Sequence, residues 1–347
     1  MPVTLATKTL KLIDDAIFAD QGASFRQHLG VVMPKMEDAY RGASDRHRSH
    51  FGFSSAGDKC ARKLWFSYRW VKPALFPARI QRLFNRGHLE EARFIAMMQC
   101  AGLEVHYETA SGGQFKISDH NGHAGSALDA VVMGVPDIPK GEPALTEMKT
   151  HGKKSFTKLV KLGVQEAHFK HYIQMQIYMR KNKLKWALYL AVQKDDDELY
   201  GEIISLDADI ADGYIARAGT IIYSVDAPER ISTTPAWWEC KFCDYLAICH
   251  HDDVPEINCR TCIHSGPATN KRWFCTYHEE VIDKEKQLSG CGDHIFLPSL
   301  LNKAMVLNSV PDEGWIKIAF REREITLGVK DGVERTTSEG LAKGEYV

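Results

Sequence analysis

ALTEMKT, residues 144–150, is long enough for one strand and carries its chemistry on one side of it. Side chains alternate along an extended chain, so Glu147 and Lys149 point the same way, roughly 6.6 Å apart, while Met148 points into the core. A second strand-like run, ALDAVVM (127–133), brings Asp129. Carboxylates on two neighbouring strands offer hard oxygen ligands for Mg2+, and the lysine offers a cation for a phosphate or a water. An E-x-K pair alone is more often surface decoration. Its surroundings therefore decide what it means.

On one side of the pair, IQRLFNRGHLEEARFIAMMQCAG (80–102) has the period of an amphipathic helix that stops at Gly102. On the other, VQEAHFKHYIQMQIYMRK (164–181) reads as a helix, with Gln174 and Tyr178 at i and i+4 on one face. Two further strands, KWALYLAVQ and LYGEIISL, are joined by the acidic turn KDDDE. Near the C-terminus WIKIAF and REITLGV read as an antiparallel hairpin or small sheet.

With 347 residues, 44% of them hydrophobic, the chain can form one large domain or two modest ones with real cores. It has no apolar run long enough to span a membrane, and its N-terminus lacks the pattern of a secretory signal. A cytoplasmic protein without a membrane partner is expected. In that reducing compartment the nine cysteines read as metal ligands rather than disulfides.

The formal net charge of −1 hides two basic stretches. Residues 41–86 hold 11 Lys and Arg against Asp45 and Asp58, and residues 149–185 hold 10 against Glu166, each giving +9. The first is interleaved with aromatics. Such stretches suit a phosphate backbone, although a solvated helix face has the same composition. Arg62, Arg69, Arg86, Lys153 and Lys154 are the candidate DNA contacts.

Taken in order, Gly87-x3-Glu91, Gly125-x3-Asp129, Glu147-x-Lys149 and Gln174-x3-Tyr178 resemble the RecB-like branch of the PD-(D/E)XK nuclease superfamily over roughly residues 54–250. The resemblance implies an α/β (α+β) restriction-endonuclease-like core, a mixed central sheet flanked by helices. It implies that Asp129, Glu147 and the Met148 carbonyl ligate Mg2+ or Mn2+, with Glu91 bound to the same or a second ion. Lys149 would position or help deprotonate a water, and Gln174 and Tyr178 would hold the scissile phosphate or orient Lys149. The family pattern most often has His where this chain has Glu91, and His88 is a rival for that role.

Cys60 precedes these motifs and Cys240-x2-Cys243-x5-Cys249 follows them. That placement resembles the iron–sulfur members of the same branch, including CRISPR-adaptation nucleases, AddB-type recombination subunits and phage exonucleases. It implies a 4Fe-4S cluster, although four thiolates also suit zinc. Tying residue 60 to residue 240 would restrict a long loop, worth about 5 kcal/mol by analogy with disulfides.

A second set, Cys259, Cys262, Cys275 and Cys291, is expected to hold Zn2+, with His278 or His294 able to replace one thiolate. A segment so poor in apolar residues does not easily fold without a clip. Cys100 reads as a buried structural thiol.

The chain thus divides into a helical segment (1–53), a nuclease core (54–255), a Cys/His-rich module (256–298) and a C-terminal β segment (299–347). The function expected is a Mg2+- or Mn2+-dependent deoxyribonuclease, an exonuclease of phage or bacterial DNA recombination, with DNA and a recombination protein as partners. The alternatives are a catalytically retired DNA-binding scaffold on the same core and a zinc-dependent regulatory module.

Overall fold

The protein is seen here as a computed structural model that describes residues 3–36, 40, 47–310, 313–328 and 335–346. Its central element is the strand Ala144–His151, parallel to Trp186–Gln193 on one side and antiparallel to Ala130–Met133 on the other. The full sheet has six strands, in the order Thr4–Leu5, Leu199–Ser205, Trp186–Gln193, Ala144–His151, Ala130–Met133, Glu104–His106. The one parallel pair needs a crossover, which α5 (Lys153–Ala167) and α6 (Phe169–Asn182) supply.

Helices cover both faces, and this explains why Trp186–Gln193 is apolar almost throughout. Ala187, Tyr189 and Ala191 join a core with Phe156 and Leu159 of α5 and Tyr172 and Met175 of α6. Leu188, Leu190 and Val192 join a second core with Met148, with Ile13 of α1 (Thr7–Ala19), Val32 of α2 (Ala23–Val32), and with Phe94, Ile95 and Met98 of α4 (Ala78–Cys100). Leucine-sized side chains buried in this way contribute about 1.5–3 kcal/mol each. The fold is therefore mixed α/β with a mixed sheet between helices.

Three elements differ from the sequence reading. The helix expected over 164–181 is two helices, broken at His168, whose φ of −138° and ψ of 59° are not helical. ALDAVVM is not one strand: Ala124–Ala127 pairs with Lys116–Asp119 and Phe51–Gly52 in a small separate sheet, whereas Ala130–Met133 enters the central one. Leu128 and Asp129 form the crossing. Finally, the N-terminal segment adds a strand as well as helices: Thr4–Leu5 extends the central sheet, and the Asp137 carboxylate accepts the first-turn N–H groups of Lys8 (3.1 Å) and Thr9 (2.8 Å) of α1.

α4 runs past the expected start, to Ala78, and ends where Gly102 takes a φ of 78°. Its first half stands away from both cores.

In the Cys-rich segment, strands Ser265–Pro267, Trp273–Cys275 and Glu280–Ile282 make an antiparallel sheet. Its core is continuous with the α5/α6 side, because Trp273, Ile282 and Leu297 pack in the same cluster as Phe53 and Tyr68. Arg260 locks the two parts together. Its guanidinium lies 3.7 Å from the Trp70 ring centroid and donates to the carbonyls of Tyr68 and Ser49, both at 2.9 Å. The C-terminal segment is a meander of Met305–Val310, Trp315–Phe320 and Arg323–Gly328, the small antiparallel sheet expected, with Met305–Val310 added to the two runs read from the sequence. Among the described residues no helix is long and apolar enough to cross a membrane.

Candidate active site and thiol sites

Asp129 reaches across to the neighbouring strand, where its Oδ2 accepts the Met148 N–H at 2.9 Å. The Lys149 ammonium lies 3.9 Å from the same oxygen, donates to the Met148 carbonyl at 3.1 Å, and pairs with Glu147 Oε1. Glu147 is fully buried, and neither of its oxygens has a hydrogen bond of regular geometry among the described residues. Burial, offset by Lys149 and reinforced by Asp129, pushes its carboxyl up to about 7. Glu91 enters from α4. Burial pushes it up to about 8, with Asp129 and Glu147 raising it and Lys149 opposing them. Burial lowers the Lys149 ammonium, but Glu147 and Asp129 outweigh it and hold it well above the usual lysine range.

The structure thus brings Glu91, Asp129, Glu147 and Lys149 to one place. Gln174 also faces it, as a hydrogen-bond partner of Glu147, and donates to the Tyr178 hydroxyl at 3.3 Å. Tyr178 donates in turn to Ser126 and is 1% exposed. The Met148 side chain is in the core as expected. Among the described residues no hydrogen bond or ion pair joins His88 to this group, whereas Glu91 interacts with Asp129, Glu147 and Lys149.

Three acids drawn together around one cation, with Glu147 fully buried, carry more negative charge than Lys149 balances. A divalent cation with oxygen preference matches that donor set. The residues fit the metal that the sequence motifs imply.

Beside this site lies a group that the sequence reading missed. Tyr189 is paired in register with Glu147 and so points to the same face. Its hydroxyl meets His151 Nε2 at 2.9 Å and His171 Nδ1 at 3.0 Å, and His151 stacks on His168 at 4.5 Å. Burial drives the His151 imidazole down to about 4 and that of His171 to about 2. His151, at i+4 from Glu147, was the available signal; Tyr189 needed the strand register.

All nine cysteines are free thiols. Cys60, Cys240, Cys243 and Cys249 line one cavity of about 530 Å3, and Cys60 is also the N-cap of α3 (Ala61–Tyr68), its Sγ accepting the Lys63 N–H at 3.4 Å. No three of these thiols lie within 4.8 Å of one another.

Cys259, Cys262, Cys275 and Cys291 line a much smaller cavity of about 20 Å3. No three of these four thiols lie within 4.8 Å of one another either. Cys291 Sγ is 3.8 Å from His278 Nε2, which is 3.2 Å from Asp293 Oδ2, so His278 remains a rival ligand. His294 does not: its Nε2 and Nδ1 are engaged by the Thr261 and Ser338 hydroxyls at 3.1 and 2.8 Å. Cys100 is only half-buried, not the buried thiol expected.

Two of the five basic candidates are not available to DNA. Arg69 is 2% exposed, lies 5.2 Å from both the Trp65 and Trp273 rings, and donates to the carbonyls of Ser224, Arg260 and Ser265. Arg62 donates to the carbonyls of Pro228 and Ser299. Aromatic and carbonyl neighbours consume both cations. Arg86, Lys153 and Lys154 are exposed, Arg86 on α4 and the lysines at the start of α5.

No family model and no curated protein matches this chain. Solved structures similar to it include that of SSO0001, at 13% identity and TM-score 0.35, covering 66% of this chain and 95% of that one. An alkaline exonuclease (LHK-Exo) from Laribacter hongkongensis is 18% identical at TM-score 0.35, covering 51% and 88%. A structure of LHK-Exo in complex with dAMP is 15% identical at the same TM-score, covering 50% and 86%. At these values the site must be read from its own geometry.

Proposed function

We propose that this protein is a Mg2+- or Mn2+-dependent deoxyribonuclease with a PD-(D/E)XK core of the RecB-like iron–sulfur branch, acting as an exonuclease in phage or bacterial DNA recombination or repair. The observation that carries the reading is the convergence of Glu91, Asp129 and Glu147 around the single cation of Lys149, with both Glu147 oxygens buried.

Asp129, Glu147, the Met148 carbonyl and Glu91 would hold the ion. When bound, it would acidify a water and neutralise charge that builds on the phosphate. Lys149, already held as an ammonium, orients the water or a phosphate oxygen and does not act as a base in this arrangement. Gln174 keeps the Glu147 carboxylate aimed, and Tyr178 with Ser126 keeps Gln174 in place. Cys60, Cys240, Cys243 and Cys249 would hold a 4Fe-4S cluster as a staple across the core, and Cys259, Cys262, Cys275 and Cys291 a structural zinc.

The test is cleavage of linear and circular DNA by purified protein with Mg2+, Mn2+ or EDTA. Metal-dependent loss of linear DNA alone is the expected result. No cleavage under any of these conditions, with DNA binding intact, would return the protein to the class of retired scaffolds.

A further inference from the structure

Lys149 stands in the middle of a row. Glu147, Lys149 and His151 alternate onto one face of the strand Ala144–His151, and Gln174, from the α6 face that also carries His171 and Tyr178, meets the Glu147 end. Tyr189 closes the other end, its hydroxyl lying between His151 Nε2 at 2.9 Å and His171 Nδ1 at 3.0 Å. By register Tyr189 leaves its strand level with Glu147, about 13 Å along the sheet from His151. The two side chains touch, so they lean toward each other and meet near the level at which Lys149 leaves the strand.

This bridge is braced from several sides. Tyr189 is fully buried, Ser155 Oγ lies 3.0 Å from His151 Nδ1, and His168 stacks on both His151 and His171, with ring centroids 4.5 and 5.2 Å away. Burial above all holds the three imidazoles below their ordinary range, so at pH 7 they are neutral and set no second cation beside the ammonium. After burial, the Lys149 charge is the largest influence lowering His171, so the two lie within each other's field. On its other side the ammonium has Asp129, Glu147 and the Met148 carbonyl. These are also the proposed metal ligands, so they cannot by themselves fix Lys149 once an ion shares them.

We propose that Tyr189, locked between His151 and His171, is a positioning residue that holds the Lys149 stem and keeps its ammonium aimed at the attacking water or a phosphate oxygen. A lysine stem is long and flexible, and a fixed wall along it removes that freedom before the reaction. Being fully buried, Tyr189 acts through Lys149 and touches no DNA. The task assigned to the ammonium rests on the nuclease reading; the wall itself rests on register and hydrogen bonds.

The experiment uses the full-length protein and linear DNA. Tyr189→Phe removes only the hydroxyl, and it should lower kcat about tenfold or more, with KM and the affinity for Mn2+ unchanged. His171→Leu should do the same, whereas His171→Asn, whose amide can occupy the place of Nδ1, should restore cleavage. In a Lys149→Ala background Tyr189→Phe should cost nothing further, because the two residues act as one unit. A general loss of packing would instead add to the Lys149→Ala loss. That additive result overturns the proposal, and so does a wild-type kcat in Tyr189→Phe. The 15N resonance of the Lys149 ammonium, assigned by its loss in Lys149→Ala, gives a reading without cleavage: Tyr189→Phe should shift or broaden it, with and without Mg2+. An unmoved resonance overturns the proposal whether or not the wild type cuts DNA. A wild type that cuts no DNA, with a resonance that moves, removes the nuclease reading and leaves the positioning of Lys149.

Discussion

The Asp129 carboxylate accepts the Met148 backbone N–H, tying the end of one strand to the middle of the next. That contact gives Asp129 a structural duty as well as a charge, and the two can be separated. Asparagine retains an oxygen that can accept the same N–H.

Asp129→Asn is therefore expected to melt close to wild type while DNA cleavage falls by at least about a hundredfold, because the lost charge matters to metal and transition state. DNA affinity in EDTA should survive. Single-turnover cleavage and thermal melts of the same preparation check it; wild-type turnover would remove Asp129 from the mechanism.

Metal binding should release protons. Without an ion, Glu147 and Glu91 sit at about 7 and about 8, above the ordinary 4.5. Between these values the folded metal-free protein holds protons that the unfolded chain has lost, so the contribution of these carboxyls to the fold is full below about 4.5 and falls away as pH rises to 7 and 8. Added Mg2+ or Mn2+ should reverse that trend, and its affinity should increase from pH 6 to 8. Calorimetry in buffers of different ionisation enthalpy measures the protons released.

The histidine group titrates with the opposite sign. His151 and His171 lie at about 4 and about 2, below the ordinary 6.5, so between these values the unfolded chain binds more protons. Their contribution is intact above pH 6.5 and is lost as pH falls, by about 2 kcal/mol per imidazole near pH 5. Urea melts of wild type and His151→Gln at pH 5 and pH 7 isolate it: the variant should lose less on acidification.

Metal content distinguishes the two thiol sets. Anaerobically purified protein is expected to absorb broadly near 400 nm and to contain about four irons and one zinc. Cys60→Ser and Cys243→Ser should lose iron and solubility together. Cys275→Ser should lose zinc alone, and His294→Gln should lose neither. A colourless, active protein with two zincs would reverse the cluster assignment.

Among the basic residues, Arg86→Gln, Lys153→Gln and Lys154→Gln should each lower the salt slope of DNA binding by about one unit, whatever the DNA sequence. Arg69→Gln should instead lower the melting temperature, since three carbonyls lose their donor.

Local signals set the two strands KWALYLAVQ and LYGEIISL, which are short apolar and β-branched runs around an acidic turn, whereas ALDAVVM was split between two sheets by pairing with distant segments. The sequence by itself also determined which residues carry chemistry. Glu147 and Lys149 share a face through the period of two, and Gln174 and Tyr178 through the i, i+4 spacing; no tertiary contact is needed for either. Tertiary structure decided which charges are free. Arg69 and Arg86 come from one basic stretch, yet only packing against Trp65 and Trp273 buries the first. It decided that His294 is occupied by Thr261 and Ser338, residues 33 and 44 positions away. It placed Tyr189 beside Glu147 through a parallel register that depends on the crossover through α5 and α6. Local periodicity shows which way a side chain points; what it meets there depends on segments distant in the chain, and only the closed fold brings those together.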